Sequence, residues 1–246
     1  MISPRPGRTP SAAAPHQNYV ARGLALSILL AAQSLPLPAQ SLTDVFARMD
    51  KTAQQFKSIA ADIRRTVHTA VINDDTVENG TIKVKREKGR ETRMLIEFTG
   101  PDAKTISLEN SMVSIYYPKI KTVQIYDVGA KRTLVDQFLL LGFGASSMEL
   151  KDAYDVTFAG EDTVGGQKTG HIELIPKSKD VLQRLKKAEL WIVESTGLPA
   201  QQRFVTSASG DFTLVTYTNM KFNASFSDNS LKLNYPKGVE VQHPQL

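Results

Sequence analysis

The residues able to carry chemistry in this 246-residue chain are sparse and scattered. There is no cysteine, which removes disulfides, zinc–thiolate and iron–sulfur ligation, cysteine nucleophiles and cysteine-linked lipid anchors together. The four histidines, His16, His68, His171 and His243, lie far apart, and no His-x-x-x-His pair exists to hold a metal. No Gly-x-Ser-x-Gly, His-Glu-x-x-His or phosphate-loop motif occurs. Asp74-Asp75 is an isolated carboxylate pair with too few oxygens for calcium, and it reads as a solvated turn. His171 reads as a surface or half-buried strand residue, and His68, on a face with Asp62, Arg64 and Thr66, as solvent-exposed. Trp191 reads as a core aromatic, with a cavity wall as the alternative. The expectation is a protein that is not an enzyme and carries no metal or cofactor.

Two features point to binding instead. The stretch 132–143 is helical in character, yet Leu134, Val135, Phe138, Leu139, Leu140 and Leu141 make it apolar almost all round. Such a helix must be covered or must face an apolar ligand. In Thr81–Arg86 the period-two face that holds Ile82 and Val84 also holds Arg86. A guanidinium on the apolar side of a sheet needs acceptors, because leaving it unpaired costs several kcal/mol. Carbonyls at the end of a covering helix would serve. The alternative is a strand that ends at Lys85, leaving Arg86 in a solvated turn.

The elements that must position these residues follow from periodicity. Ser41–Gln55 reads as a helix, with Leu42, Val45, Phe46, Met49 and Ala53 at three–four spacing. From Ile59 the period becomes two, with Ile59, Ala61, Ile63, Arg65 and Val67 on one face. Turns are expected at Asn73-Asp74-Asp75 and Asn79-Gly80, with strands at 81–86, 92–98, 105–108, 112–117 and 122–127. After the apolar helix and a short helix at 146–150, strands resume at 153–159, 168–175, 187–194, 200–206, 211–218 and 230–235. Clean alternation of this kind marks antiparallel hairpins with one buried face. The class is therefore α+β, mostly antiparallel, with about 11 or 12 strands in one domain.

Residues 1–39 are set apart. Arg5, Arg8 and Arg22 precede an apolar run of about ten residues, Gly23–Ala32, too short to span a membrane but sufficient for a secretory signal. Cleavage is expected after Ala39, with Ala32 the alternative. The whole chain has 30 basic and 25 acidic residues, a net charge of +5; without those three arginines, residues 40–246 hold 27 against 25. No basic stripe dense enough for a nucleic acid is present.

With the layout in view, the order of motifs resembles the LolA family of periplasmic outer-membrane lipoprotein carriers and its wider superfamily. The motifs are Leu42-x-x-Val45-x-x-Arg48-Met49, Gly80–Arg86, Met94-x-Ile96-x-Phe98-Thr99-Gly100-Pro101, Ile115-Tyr116-Tyr117-Pro118, Asp136–Leu141 and Leu231-x-Leu233-x-Tyr235-Pro236-x-Gly238-Val239. Each is degenerate alone, and the order carries the resemblance. It implies a half-open β-barrel covered by the N-terminal helix and lid helices, with 40–246 as the carrier domain. The implied cavity wall consists of Ile63, Val67, Ile82, Val84, Met94, Ile96, Phe98, Ile106, Val113 and Ile115 from the sheet, with Phe138, Leu141, Phe143 and Met148 from the cover. Arg86 becomes the lid gate. The implied cargo is the acyl chains of lipoproteins or a similar amphiphile. The implied partners are an inner-membrane lipoprotein-releasing transporter and an outer-membrane acceptor, with the carrier itself a monomer. The alternatives are a periplasmic lipid-binding sensor or accessory protein on the same fold and, against the missing nucleophile–base motif, a hydrolase.

Overall fold

A computed structural model describes residues 41–87, 91–132, 135, 141–206 and 209–244. Helix α1 (Leu42–Gln55) starts where Ser41 and Asp44 form a reciprocal capping box, and it buries Val45, Phe46, Met49, Thr52 and Ala53. The strands follow: β1 (Ser58–Thr69), β2 (Asp74–Arg86), β3 (Thr92–Thr99), β4 (Lys104–Glu109), β5 (Met112–Tyr117) and β6 (Thr122–Asp127). A second capping box, Ser146 with Glu149, opens helix α2 (Ser147–Ala153). Then come β7 (Tyr154–Val164), β8 (Gln167–Pro176), the short helix α3 (Lys179–Arg184), β9 (Lys187–Val193), β10 (Pro199–Val205), β11 (Phe212–Phe222) and β12 (Glu240–Gln242). Among the described residues, no helix is long and apolar enough to cross a membrane.

These strands form one open sheet in the order β12-β6-β5-β4-β3-β2-β1-β11-β10-β9-β8-β7. Every pairing is antiparallel except that of β12 with β6. The hairpin logic of the sequence builds the two wings, and the pairing of β1 with β11 joins them. On the inner face the side chains make two apolar clusters. Helix α1, α2 and Leu141 cover the wing of β7–β10, burying Ile172, Leu174, Leu190 and Phe204. The other cluster lies on β1–β4, where Phe56, Val128, Phe143 and Leu198 pack onto Ile59, Ile82, Val84, Met94, Phe98 and Leu108. Asp50 of α1 accepts hydrogen bonds from the backbone N–H and hydroxyl of Ser147 (2.6 and 2.7 Å), so the two covering helices are tied to each other.

Two segments depart from the sequence reading in their secondary structure, along β2 and after β11. Asn79-Gly80 is not a turn, because β2 runs unbroken through it. Glycine is needed there because a Cβ on residue 80 would stand 2.2 Å from the Glu97 carbonyl oxygen of β3. Residues 230–235 are not a strand. They belong to a strap that crosses the outer face, where the 3-10 turn Asp228–Leu231 buries Leu231. The strap ends in β12 beside β6. Of the expected apolar helix, Arg132, Val135 and Leu141 are described, while Phe138 lies outside the described residues.

Replacing Gly80 with Ala should cost about 1–3 kcal/mol, since a backbone oxygen cannot step aside as a side chain can. A lower urea midpoint at unchanged m-value is the expected result; an unaltered midpoint would contradict the close approach.

Candidate functional site

Register places the inner-face residues of β1–β6 in rows. One row runs Ile59, Val84, Met94, Leu108, Val113, Tyr126. The next runs Ala61, Ile82, Ile96, Ile106, Ile115, Gln124. The first is deeply covered: Ile59, Val84, Met94 and Leu108 are all buried. The second is not, since Ile96, Ile106 and Ile115 remain half-buried beside the similarly half-buried Val113. Four paired isoleucines thus make a continuous apolar strip that the described cover shields only at one end. Val135 packs against this same cluster.

Arg86 closes one end. The Arg86 guanidinium lies on the inner face, and its Nη2 donates to the Gly144 carbonyl oxygen at 2.7 Å. Its Cζ sits 5.1 Å from the ring centroid of Phe56, just past α1. Gly144 fits closely against the guanidinium: a Cβ there would come within 2.4 Å of Arg86 Nη2 and push it aside. Next to this contact Phe143 meets Tyr217 edge-on, with centroids 4.9 Å apart. The Tyr217 hydroxyl donates to Gln202 Oε1 at 2.7 Å, and the Gln202 amide in turn donates to the Leu141 carbonyl. Burial pushes the Tyr217 phenol up, so it stays a neutral donor. The turn 141–144 is therefore pinned to the sheet through Arg86 on β2 and Gln202 on β10.

The opposite end is ionic. Arg65 and Glu78 face each other across β1 and β2, and Lys104 reaches the same Glu78 carboxylate from β4. The ammonium of Lys104 crosses β3 above the Phe98 ring, 5.2 Å from its centroid. Burial alone would raise the Glu78 carboxyl, but the hydrogen bonds from Lys104 and Arg65 outweigh it and hold the group below its ordinary value.

The expected wall residues divide accordingly. Ile63, Ile82, Val84, Met94, Phe98 and Phe143 are buried in the β1–β4 cluster, with Ile96, Ile106 and Val113 at its margin. Val67 lies half-buried beyond Arg65. Leu141 belongs instead to the α1-side core. Met148 is a correction: it is 69% exposed, because the helix of Ser147–Ala153 turns Leu150 inward instead. The sequence reading put Arg65 on the inner face but gave it no role. Glu78 and Lys104 were missed, although Glu78 shares the alternation of Ile82 and Lys104 that of Ile106.

Among the described residues, one group has metal-ligand chemistry: His171, Glu173 and Glu189 on the outer face. Cations already fill it. Lys187 and Arg203 stand 3.0 and 3.2 Å from Glu189. His171 stacks on Trp191, whose Nε1 donates to Asp162. Trp191 is thus buried, as the core reading expects, but on the face away from the apolar clusters, which corrects the cavity-wall alternative. His68 is likewise not free in solvent, since it bonds to Asp75 at 2.8 Å and stacks on Phe212. Asp75 correspondingly belongs to β2 rather than to a solvated turn.

The sequence profile of the MucB/RseB N-terminal domain matches residues 66–233. The chain belongs to that family. A comparison with curated proteins returns no match. Among solved structures, an uncharacterised conserved protein from Thermus thermophilus is 13% identical over 83% of this chain and 100% of its own, with a TM-score of 0.50, and shares the fold. The MucA/MucB complex of Pseudomonas aeruginosa aligns at 16% identity and a TM-score of 0.46 over 78% of this chain. The chain spans 60% of that MucB-complex chain. A LolA superfamily protein from Nitrosomonas europaea aligns at 12% identity and a TM-score of 0.39, over 79% of this chain and 99% of its own. The open half-barrel agrees with the LolA-like fold expected from the motif order.

The outer-face network predicts an acid limb of stability. Burial alone would raise the Glu189 carboxyl, but His171 at 3.7 Å and the cations of Lys187 at 3.0 Å and Arg203 at 3.2 Å hold it at about 2. Its unfolded value is the ordinary 4.5. The stabilisation is therefore complete above the unfolded value and is lost as pH falls through the folded one. Glu189→Gln should flatten the unfolding free energy between about pH 4.5 and 2. An acid limb equal to that of the wild type would contradict this.

Proposed function

We propose that the chain is a non-enzymatic periplasmic carrier that binds the acyl chains of lipoproteins, or of a similar amphiphile, along the isoleucine strip. The observation that carries this reading is the half-buried row Ile96, Ile106 and Ile115, bounded by a tethered turn at one end and ion pairs at the other. Burying a methylene is worth about 0.8 kcal/mol, so a sixteen-carbon chain brings about 12 kcal/mol of gross transfer. A shuttle must offer comparable apolar area yet bind less tightly than the destination membrane.

Arg86 supplies the difference. With the turn 141–144 held down, Arg86 keeps a charge-assisted bond worth about 1.5–3 kcal/mol, and cargo that lifts the turn forfeits it. That cost favours handover. On this reading the donor is an inner-membrane lipoprotein-releasing transporter and the acceptor an outer-membrane receptor. Membership of the MucB/RseB N-terminal domain family supports a second reading, a lipid-binding accessory protein that reports to a membrane protein. It predicts a stable complex with that protein's periplasmic segment, where a carrier makes only transient ones.

Arg86→Leu should release cargo about tenfold more slowly to acceptor vesicles, and Gly144→Ala, which crowds the same guanidinium, should act in the same direction. Mass spectrometry of the protein purified from its own periplasm should find acyl chains in stoichiometric amount, more in the Arg86 variant. Release at the wild-type rate from both variants would reject the gate; protein devoid of acyl chains would reject the carrier.

A further inference from the structure

The ionic row is oddly placed for a structural device. Arg65, Glu78 and Lys104 stand on the inner face of the sheet, two positions along their strands from Ile63, Gly80 and Ile106; Ile63 and Gly80 pair with each other, and Ile106 belongs to the isoleucine row. In a trough that only needed to hold hydrocarbon, apolar side chains at these positions would cost less desolvation. Among the described residues the row is also unbalanced: two cations share one carboxylate, an excess of one positive charge. Each cation gives Glu78 one hydrogen bond. A guanidinium carries five N–H donors and an ammonium three. Arg65 and Lys104 remain 31% and 20% exposed, so their other donors are within reach of a ligand. The apolar strip next to them is the part of the inner face left half-buried.

We propose that Arg65 and Lys104 form a headgroup site for a monoanionic amphiphile, whose acyl chain runs from there along Ile106 and Ile96 toward the turn held by Arg86. This deepens the carrier reading and rests on it. Charge counting selects the class. A single negative charge, a carboxylate or a phosphodiester, brings the row to neutrality. A phosphomonoester, at about −1.5 to −2 near neutral pH, overshoots and meets Glu78 as a like charge. A neutral head leaves the excess cation uncompensated. Glu78 then has two duties: it keeps both cations in place in the empty protein, and it sets how much negative charge the site accepts. The Phe98 ring beneath Lys104 continues the apolar floor up to the head.

The test uses three single-chain probes of one acyl length against the whole mature protein: palmitate, monopalmitoylglycerol and palmitoyl-lysophosphatidate. A fourth, palmitoyl-lysophosphatidylglycerol, distinguishes a carboxylate source from a phosphodiester one. Palmitate and the phosphodiester should bind about tenfold more tightly than the neutral and monoester probes, as expected for one charge-assisted bond. Arg65→Gln/Glu78→Gln/Lys104→Gln, which removes all three charges and leaves none uncompensated, should erase the preference while keeping affinity for monopalmitoylglycerol. Glu78→Gln alone raises the excess to two and should shift the preference toward lysophosphatidate; it supplies an independent answer if the triple variant folds poorly. Inorganic phosphate at equal concentration should displace none of them. Equal binding of all four probes, a preference that survives the triple variant, an unmoved preference in Glu78→Gln or displacement by phosphate alone overturns the headgroup site and leaves the carrier reading intact. Failure of every probe to bind overturns both.

Discussion

The inner face of this sheet carries more apolar surface than the described helices cover, and the described polar contacts are arranged around that mismatch. Helix α1 and helix α2, tied by Asp50, seal the wing of β7–β10 into an ordinary core. On the other wing, Phe56, Val128, Phe143 and Leu198 reach across the deep row of Ile59, Val84, Met94 and Leu108. The isoleucine row beyond it is left half-buried. Apolar area in water is unfavourable by about 25 cal/mol per Å², so a strip of this kind exists at a standing cost that a ligand can recover.

Polar groups confine that strip and give it direction. Arg86 ties the turn 141–144 to β2, and the Tyr217–Gln202–Leu141 relay ties the same turn to the other wing. At the far end Lys104 clasps β4 to β2 across β3, with Arg65 holding the same carboxylate from β1. Neutral, buried Tyr217 and Glu78, held below its ordinary value by Lys104 and Arg65, both serve geometry. A chain lying in the trough would meet a movable end and a charged end, and these two ends differ in the work they ask of a ligand.

Much of this was legible in the sequence because alternation reports faces. The period-two pattern grouped Ile59 with Ile63, Ile82 with Arg86, and Met94 with Ile96, each on its own strand, and the motif order supplied the half-barrel and the common wall. Alternation does not report register. Arg65 stands beside Glu78 only because β1 and β2 pair with Arg65 opposite Glu78, and Lys104 joins them only because β4 lies on the far side of β3. The two misread segments failed for local reasons. Asn79-Gly80 has the composition of a turn, but its glycine answers to the Glu97 carbonyl of a neighbouring strand. Residues 230–235 alternate like a strand, yet they alternate as a strap laid on the outer face, with Leu231 buried and no ladder partner of their own. Met148 was placed inward by the resemblance alone, whereas its helix buries Leu150 and leaves Met148 in solvent.

The claim on which the account stands is that an acyl chain occupies the isoleucine row. It is read most directly by methyl NMR with a fatty acyl chain carrying a nitroxide. The account predicts that Ile96, Ile106 and Ile115 methyl signals broaden first, while Val71, Ile72 and Met148, all strongly exposed, stay sharp. Broadening centred on those exposed residues, with the isoleucine row untouched, would contradict it.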